Sequence, residues 1–212
     1  MEIVRLTTTS IDSAARRAAQ VLAKGGIVLY PTDTLYGLAV DATNPRAIER
    51  LRSLKQREAK KPIAVIMPSV DVISRYAVMN EVAYSLATRF LPGPLTLVLP
   101  VTAQMPMSIT LNGAMGVRIP NDPFCQALSN IFPKPYTTTS ANKAGRTTPH
   151  AVPHILEHFG KDIVLIDMVI DDGERGGGVP STVVTCVAET PYILRHGQIS
   201  KEDVFEQNTG NI

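Results

Sequence analysis

Three small oxygen-bearing side chains in a row, Thr32, Asp33 and Thr34, follow a short apolar run at 27–30. The run is rich in β-formers, is bounded by Gly26 and Pro31, and reads as a buried strand. In open α/β sheets, ligands settle in the crevice beyond the carboxyl ends of strands. Hydroxyls and a carboxylate spilling out of a strand, followed by Gly37 where backbone can approach a ligand, suit that crevice. The same residues also fit a polar turn in which Asp33 caps the next segment.

Residues 50–61 hold six cations (Arg50, Arg52, Lys55, Arg57, Lys60 and Lys61) opposed only by Glu58. Such density fits either a phosphate site, where an anion relieves the self-repulsion, or a helix C-terminus whose cations complement the dipole and face water. In 136–145, four consecutive hydroxyls (Thr137 to Ser140) precede Asn142 and Gly145. Buried, they need partners; otherwise they form a Ser/Thr-rich turn. Lys55 and Arg57 are two residues apart, as are Ser140 and Asn142, so each pair shares a face only on an extended backbone. Two extended segments would bring two cations and two neutral hydrogen-bonders to one pocket.

The stretch 171–182 opens with Asp171, Asp172 and Glu174, an acidic surface turn or a candidate Mg²⁺ site, and continues through three glycines to Ser181 and Thr182. Arg118 and Arg195 each end an apolar run, positions equally suited to structure or to anion binding. His150, His154 and His158 recur every four residues, but Pro149 and Pro153 interrupt a shared helix and no nearby ligand set completes a metal site, so a surface role is expected. No GxGxxG, Walker loop, GxSxG or HExxH occurs.

The elements that position these residues alternate along the chain. Strands are expected at 3–6, 27–30, 63–67, 95–101, 115–119, 136–139, 163–166, 182–187 and 192–194. Helices are expected at 10–24, from Asn44-Pro45 onward with Ile48, Leu51 and Leu54 inward, and at 69–76, 80–90, 122–130 and 152–159. The fold class is therefore α/β: a single domain over 1–205 with a twisted mixed sheet flanked by helices, and a polar tail at 206–212. A net charge of +2 excludes a strongly basic nucleic-acid binder, so any basic surface must be local. Cys125 and Cys186 lack metal or disulfide spacing. No apolar run approaches a membrane span and no signal peptide opens the chain, so a soluble, cytoplasmic protein is expected.

Seven ordered motifs carry a resemblance: Tyr30-Pro-Thr-Asp-Thr-Leu-Tyr-Gly-Leu, Lys55-x-Arg57, Pro92-Gly-Pro-Leu-Thr, Gly116-Val-Arg-Ile-Pro, Thr139-Ser-Ala-Asn, Pro180-Ser-Thr-Val-Val and Leu194-Arg-x-Gly. Over about residues 10–197 the chain resembles the short, single-domain form of the YrdC/TsaC family of L-threonylcarbamoyladenylate synthases. The resemblance implies a concave basic face and a nucleotidyl transfer joining L-threonine, bicarbonate or CO₂, and ATP, with Mg²⁺ on the phosphates. It implies catalytic roles for Lys55, Arg57, Ser140 and Asn142 around the nucleotide. It places further ATP contacts at Lys61, Thr148 and Arg195, and the threonine contacts at Thr34, Arg118, Thr138 and Ser181. No protein metal ligand is implied. Implied partners are downstream proteins of tRNA threonylcarbamoyl transfer, with tRNA or double-stranded RNA as further partners. The other reading is a non-catalytic, RNA-binding relative. Two positions depart from the family pattern: Glu58 stands where proline usually follows Lys-x-Arg, and Ile66 where a histidine is often found.

Overall fold

The computed structural model describes residues 1–56, 58, 61–175 and 179–205. In chain order the elements begin with β1 (Glu2–Arg5), α1 (Ile11–Ala23), β2 (Val28–Tyr30), β3 (Gly37–Ala39), α2 (Pro45–Lys55) and β4 (Ala64–Ile66). Next come α3 (Val70–Tyr76), α4 (Glu81–Phe90), β5 (Leu95–Pro100), β6 (Ala114–Arg118), α5 (Pro123–Ile131) and β7 (Tyr136–Ser140). The chain closes with α6 (Val152–Phe159), β8 (Met168–Asp171), β9 (Thr182–Thr185), β10 (Tyr192–Arg195) and α7 (Lys201–Phe205). One ten-stranded mixed sheet runs β1-β8-β2-β3-β7-β4-β6-β5-β9-β10. The pairs β1/β8, β2/β8, β4/β6 and β5/β9 are parallel and the remaining pairs antiparallel. The expected α/β class is the observed one.

Side-chain alternation divides the sheet into two unlike faces. Leu29, Leu38, Val65, Leu97, Val117 and Val184 point to one face and pack beneath α2, α3, α4 and α6 in a continuous apolar layer. The opposite face carries Val28, Tyr30, Ala39, Ile66, Tyr136 and Met168, covered by α1 and α5. That cover stops at β4. Beyond it the second face presents Ala64, Gly116, Thr96, Val98 and Val183, which line a cleft instead of a core. Packing is tight there: a Cβ on Gly116 would lie 3.1 Å from both Ala64 Cβ and Thr96 Cγ2.

Local chemistry sets the helix ends that matter for the site. Asn44 Oδ1 accepts from Arg46 N at 3.1 Å, and Pro45 starts α2 where its missing N–H costs nothing. Lys55 is the last helical residue, and Gln56 turns away in a left-handed conformation (φ 51°). Lys55 is thus not on extended backbone, contrary to the sequence expectation. Its direction is set by a helix end. Asp122 Oδ1 caps α5 by accepting from Cys125 N at 3.0 Å.

Three elements differ from the sequence reading. Residues 163–165 of the apolar run lie in a 3-10 segment, Gly160–Leu165, Ile166 follows it in extended conformation, and the strand comes afterwards as β8. Short apolar runs fit a strand or a buried helical turn equally well. Strand β3, absent from the reading, pairs with β2 and β7 through a sequence rich in small residues. Helix α7 lies where only the approach to a polar tail was expected. The tail at 206–212 lies outside the described residues.

Candidate functional site

The cleft has a volume of about 400 Å³ and crosses the sheet from the β2–β3 loop to β10. Thr34, Arg118, Thr138, Ser140, Ser181 and Arg195 all line it. Six of the ten described site residues from the sequence reading therefore share one cavity: those six, against Lys55, Lys61, Asn142 and Thr148. Arg57 lies outside the described residues.

At one end the loop after β2 is wound around Thr32. Its Oγ1 accepts from Thr34 N at 3.1 Å and Leu35 N at 3.2 Å, and donates to Leu35 O at 2.7 Å. This hydroxyl-centred turn points Thr34 at the end of β6. Arg118, only 5% exposed, donates from NH1 to Thr34 Oγ1 at 2.9 Å and from NH2 to Asp33 Oδ1 at 2.5 Å. Its Nε donates to Gly93 O at 3.4 Å, and Asp33 Oδ2 accepts from Asn121 N at 3.0 Å. A guanidinium has five N–H donors, so three engaged leave two for a ligand. Two spare N–H groups on a buried guanidinium match a carboxylate.

At the other end Arg195 donates from Nε and NH2 to Ser181 O at 3.2 and 2.9 Å, and from NH2 to Ser181 Oγ at 3.1 Å. Among the described residues no carboxylate pairs with it. Burial, and then the charge of Arg118, push its pKa down. Two cations facing one cavity favour an anion between them. No carboxylate lines the cleft and, among the described residues, no group of three His, Cys, Asp or Glu could hold a metal.

Three cations of the basic stretch, Arg50, Arg52 and Lys55, are engaged by carbonyls or a carboxylate. Arg50 turns to Gly25 O (2.8 Å) and Asp167 Oδ2 (3.1 Å). Arg52 is buried and donates to Glu58 O (2.7 Å), Lys61 O (3.1 Å) and Ser108 O (2.5 Å). Lys55, 1% exposed, donates to Ser140 O, to Asn142 O at 2.8 Å and to Asn142 Oδ1 at 3.2 Å. Ser140 Oγ donates to Asn142 Oδ1 at 2.5 Å, and Asn142 Nδ2 donates to Arg146 O. Lys55, Ser140 and Asn142 do converge, with Lys55 beneath the turn and Ser140 at the cleft. Lys61 is exposed, paired with Glu58 at 3.1 Å beside the cleft residue Pro62. Thr148 is half-buried away from the lining.

Residues the sequence reading did not assign also shape the site. Tyr36 lines the cleft, donates to Gly173 O at 2.8 Å and accepts from Asp172 N at 2.9 Å. Burial pushes its pKa up to about 12, so it stays a neutral latch. Arg175 ties the same loop down to Asp172 and, at 3.2 Å, to Asp122. The acidic turn is therefore bound to tyrosine and arginine. His158, expected at the surface, accepts from Lys143 N at 3.0 Å through Nε2 and so pins the turn that carries Asn142.

That hydrogen bond fixes a pH dependence. Burial first, then the cations Arg146, Lys143 and Lys55, lower the His158 pKa. The unfolded chain, with an ordinary value near about 6.5, takes up the proton first, so stability falls as pH drops through that value. His158→Gln, whose amide oxygen can still accept from Lys143 N, is expected to flatten the fall in melting temperature between about pH 7.5 and 5.5. An unchanged slope would remove His158 as its source.

Known proteins resemble this chain in sequence and in fold. The sequence model Sua5_yciO_yrdC, described as telomere recombination, matches residues 20–197. The threonylcarbamoyl-AMP synthase of Pyrococcus abyssi is 35% identical over 89% of this chain, which spans 55% of that protein. A threonylcarbamoyl-AMP synthase of Vibrio vulnificus is 31% identical over 87% of the chain and is matched over 99% of its own length. The crystal structure of P. abyssi Sua5 complexed with L-threonine superposes with a TM-score of 0.87 at 33% identity, covering 97% of this chain and 60% of that one. A family match across most of the sheet, with a shared fold beneath the cleft, fixes the lineage: the chain belongs to the Sua5/YciO/YrdC family.

Proposed function

We propose that the protein is a threonylcarbamoyl-AMP synthase that joins L-threonine, bicarbonate or CO₂, and ATP. The observation that carries this reading is one cavity with a carboxylate-ready guanidinium, Arg118, at one end and a second guanidinium, Arg195, at the other, separated by small hydroxyls. Relatives named for the reaction, and a neighbour solved with L-threonine, support it.

Threonine's carboxylate takes the two spare N–H groups of Arg118. Its amine nitrogen bonds to the carbonate carbon, with loss of water when bicarbonate is the source. A carbamate oxygen then attacks the α-phosphorus, the bond to the β-phosphate oxygen breaks, and pyrophosphate leaves. Such a transfer needs positioning and charge neutralisation more than a protein nucleophile. Arg195, with Arg57 and Lys61 from the basic stretch, neutralises the phosphates. Ser140 and Asn142 orient the nucleotide on the turn that Lys55 braces, with Thr148 as a further contact. Thr34, Thr138 and Ser181 enclose the amino acid. Mg²⁺ arrives with ATP, held by phosphate oxygens.

The product serves threonylcarbamoyladenosine formation in tRNA, handed on to transfer proteins in the cytoplasm. The RNA-binding alternative needs outward cations, and the inward turn of Arg50, Arg52 and Lys55 disfavours it. Pyrophosphate release with ATP, threonine and bicarbonate, each omitted in turn, tests the assignment. Release is expected only with all three. Turnover indifferent to threonine rejects it.

A further inference from the structure

The side of β5 that faces the cleft carries a residue with no role so far. Thr96 Oγ1 lies 2.8 Å from Ser181 Oγ, and both residues are buried. Strands β5 and β9 run parallel here, with Leu95 opposite Thr182, so Ser181, the residue just before β9, is brought beside Thr96. Arg195 holds Ser181 by its backbone carbonyl and also donates to its hydroxyl oxygen at 3.1 Å.

Counting hydrogens fixes what this pair can offer. Two hydroxyls carry two hydrogens, and their mutual bond consumes one. If Thr96 is the donor, both lone pairs of Ser181 are filled, by Thr96 and Arg195, and only its hydrogen remains. If Ser181 is the donor, the hydrogen of Thr96 remains. Either way one O–H is left that can donate to an acceptor atom of a ligand.

At the Thr34 end Arg118 donates to the hydroxyl at 2.9 Å, which leaves one of its lone pairs for a ligand N–H. The Thr96–Ser181 end lies beside Arg195 and in the field of Arg118, which favours an anionic oxygen there.

We propose that Thr96 and Ser181 act as one hydroxyl pair donating a single hydrogen to an oxygen of the carbonate-derived group, bicarbonate on entry and carbamate thereafter. The proposal rests on the synthase reading above. It makes Thr96 a residue of the site and assigns Ser181 to an acceptor oxygen rather than to an ammonium group.

Thr96→Val keeps the β-branched shape and removes the hydroxyl, while Thr96→Ser keeps the hydroxyl. Initial rates of pyrophosphate release are measured with bicarbonate, threonine and ATP varied separately in CO₂-depleted buffer. Thr96→Val is expected to raise KM for bicarbonate about tenfold and leave those for threonine and ATP within about twofold, and Thr96→Ser to restore it. An unchanged bicarbonate KM, or a rise confined to threonine, overturns the proposal. A second readout needs no turnover: the melting-temperature increment that bicarbonate adds to protein holding threonine and α,β-methylene-ATP. It should be present in the wild type and lost in Thr96→Val, and its absence from the wild type overturns the proposal. Failure of the synthase reading shows separately, as wild-type turnover that does not depend on threonine.

Discussion

Arg118→Lys is expected to raise KM for threonine about a hundredfold while KM for ATP stays within about twofold. Lysine keeps the positive charge but replaces a planar fork with a single point donor. In the folded protein the Nε of Arg118 donates to Gly93 O, one terminal nitrogen to Thr34 and the other to Asp33, and each terminal nitrogen keeps one further N–H. Losing two charge-assisted hydrogen bonds to a carboxylate is worth about 1.5–3 kcal/mol each, which sets the size of the effect. Arg118→Ala would be a poorer probe. It leaves the Asp33 carboxylate, 12% exposed, without its cation, and removing one partner of a buried pair costs about 3–5 kcal/mol of stability. Asp33→Asn gives the complementary result. It retains one acceptor but not two, so it cannot hold both Arg118 NH2 and Asn121 N, and KM for threonine rises about tenfold. Should Arg118→Lys bind threonine normally, the carboxylate lies elsewhere in the cleft.

The sequence was informative wherever a local pattern implied a local structure. Apolar runs bounded by Gly or Pro gave β2, β5, β6 and β9 within a residue or two at most ends, and Asn44-Pro45 and Asp122-Pro123 marked helix starts that the caps bear out. Strand ends with hydroxyls were also legible, because Thr34, Thr138, Ser140 and Ser181 do face one cleft. What stayed hidden was pairing across the fold. Asp33 and Arg118 lie 85 positions apart, and no spacing rule connects them. Tyr36 and the loop at Gly173 are 137 apart. Thr96 did leave a trace: Thr96 and Val98 alternate with Leu95, Leu97 and Leu99, the signature of a strand with only one apolar face, and Thr96 marks the cleft side. The partners of Arg52 and Lys55 stayed hidden for the same reason: the carbonyls they satisfy belong to distant segments, Ser108, Ser140 and Asn142.

Lys55 separates a nucleotide contact from a brace, and Lys55→Met decides between them. The Nζ group sits at the end of α2, almost without solvent contact, and donates to the carbonyls of Ser140 and Asn142 and to the Asn142 side chain. Methionine fills the same volume but donates nothing, leaving two backbone carbonyls buried without that partner at about 1–3 kcal/mol each. For a chain of 212 residues each kcal/mol is worth about 2–4 °C, so the melting temperature should fall by roughly 10 °C. Turnover should fall at least tenfold as well, because Ser140 and Asn142 lose the charge that fixes their turn. Lys61→Met provides the contrast. Lys61 is exposed, and its pairing with Glu58 at 3.1 Å is of the surface kind that contributes about 0–1 kcal/mol. It should leave the melting temperature nearly unmoved and raise KM for ATP alone. If Lys55→Met melts like the wild type and loses only ATP affinity, then Lys55 touches the phosphates and the brace is no part of its role.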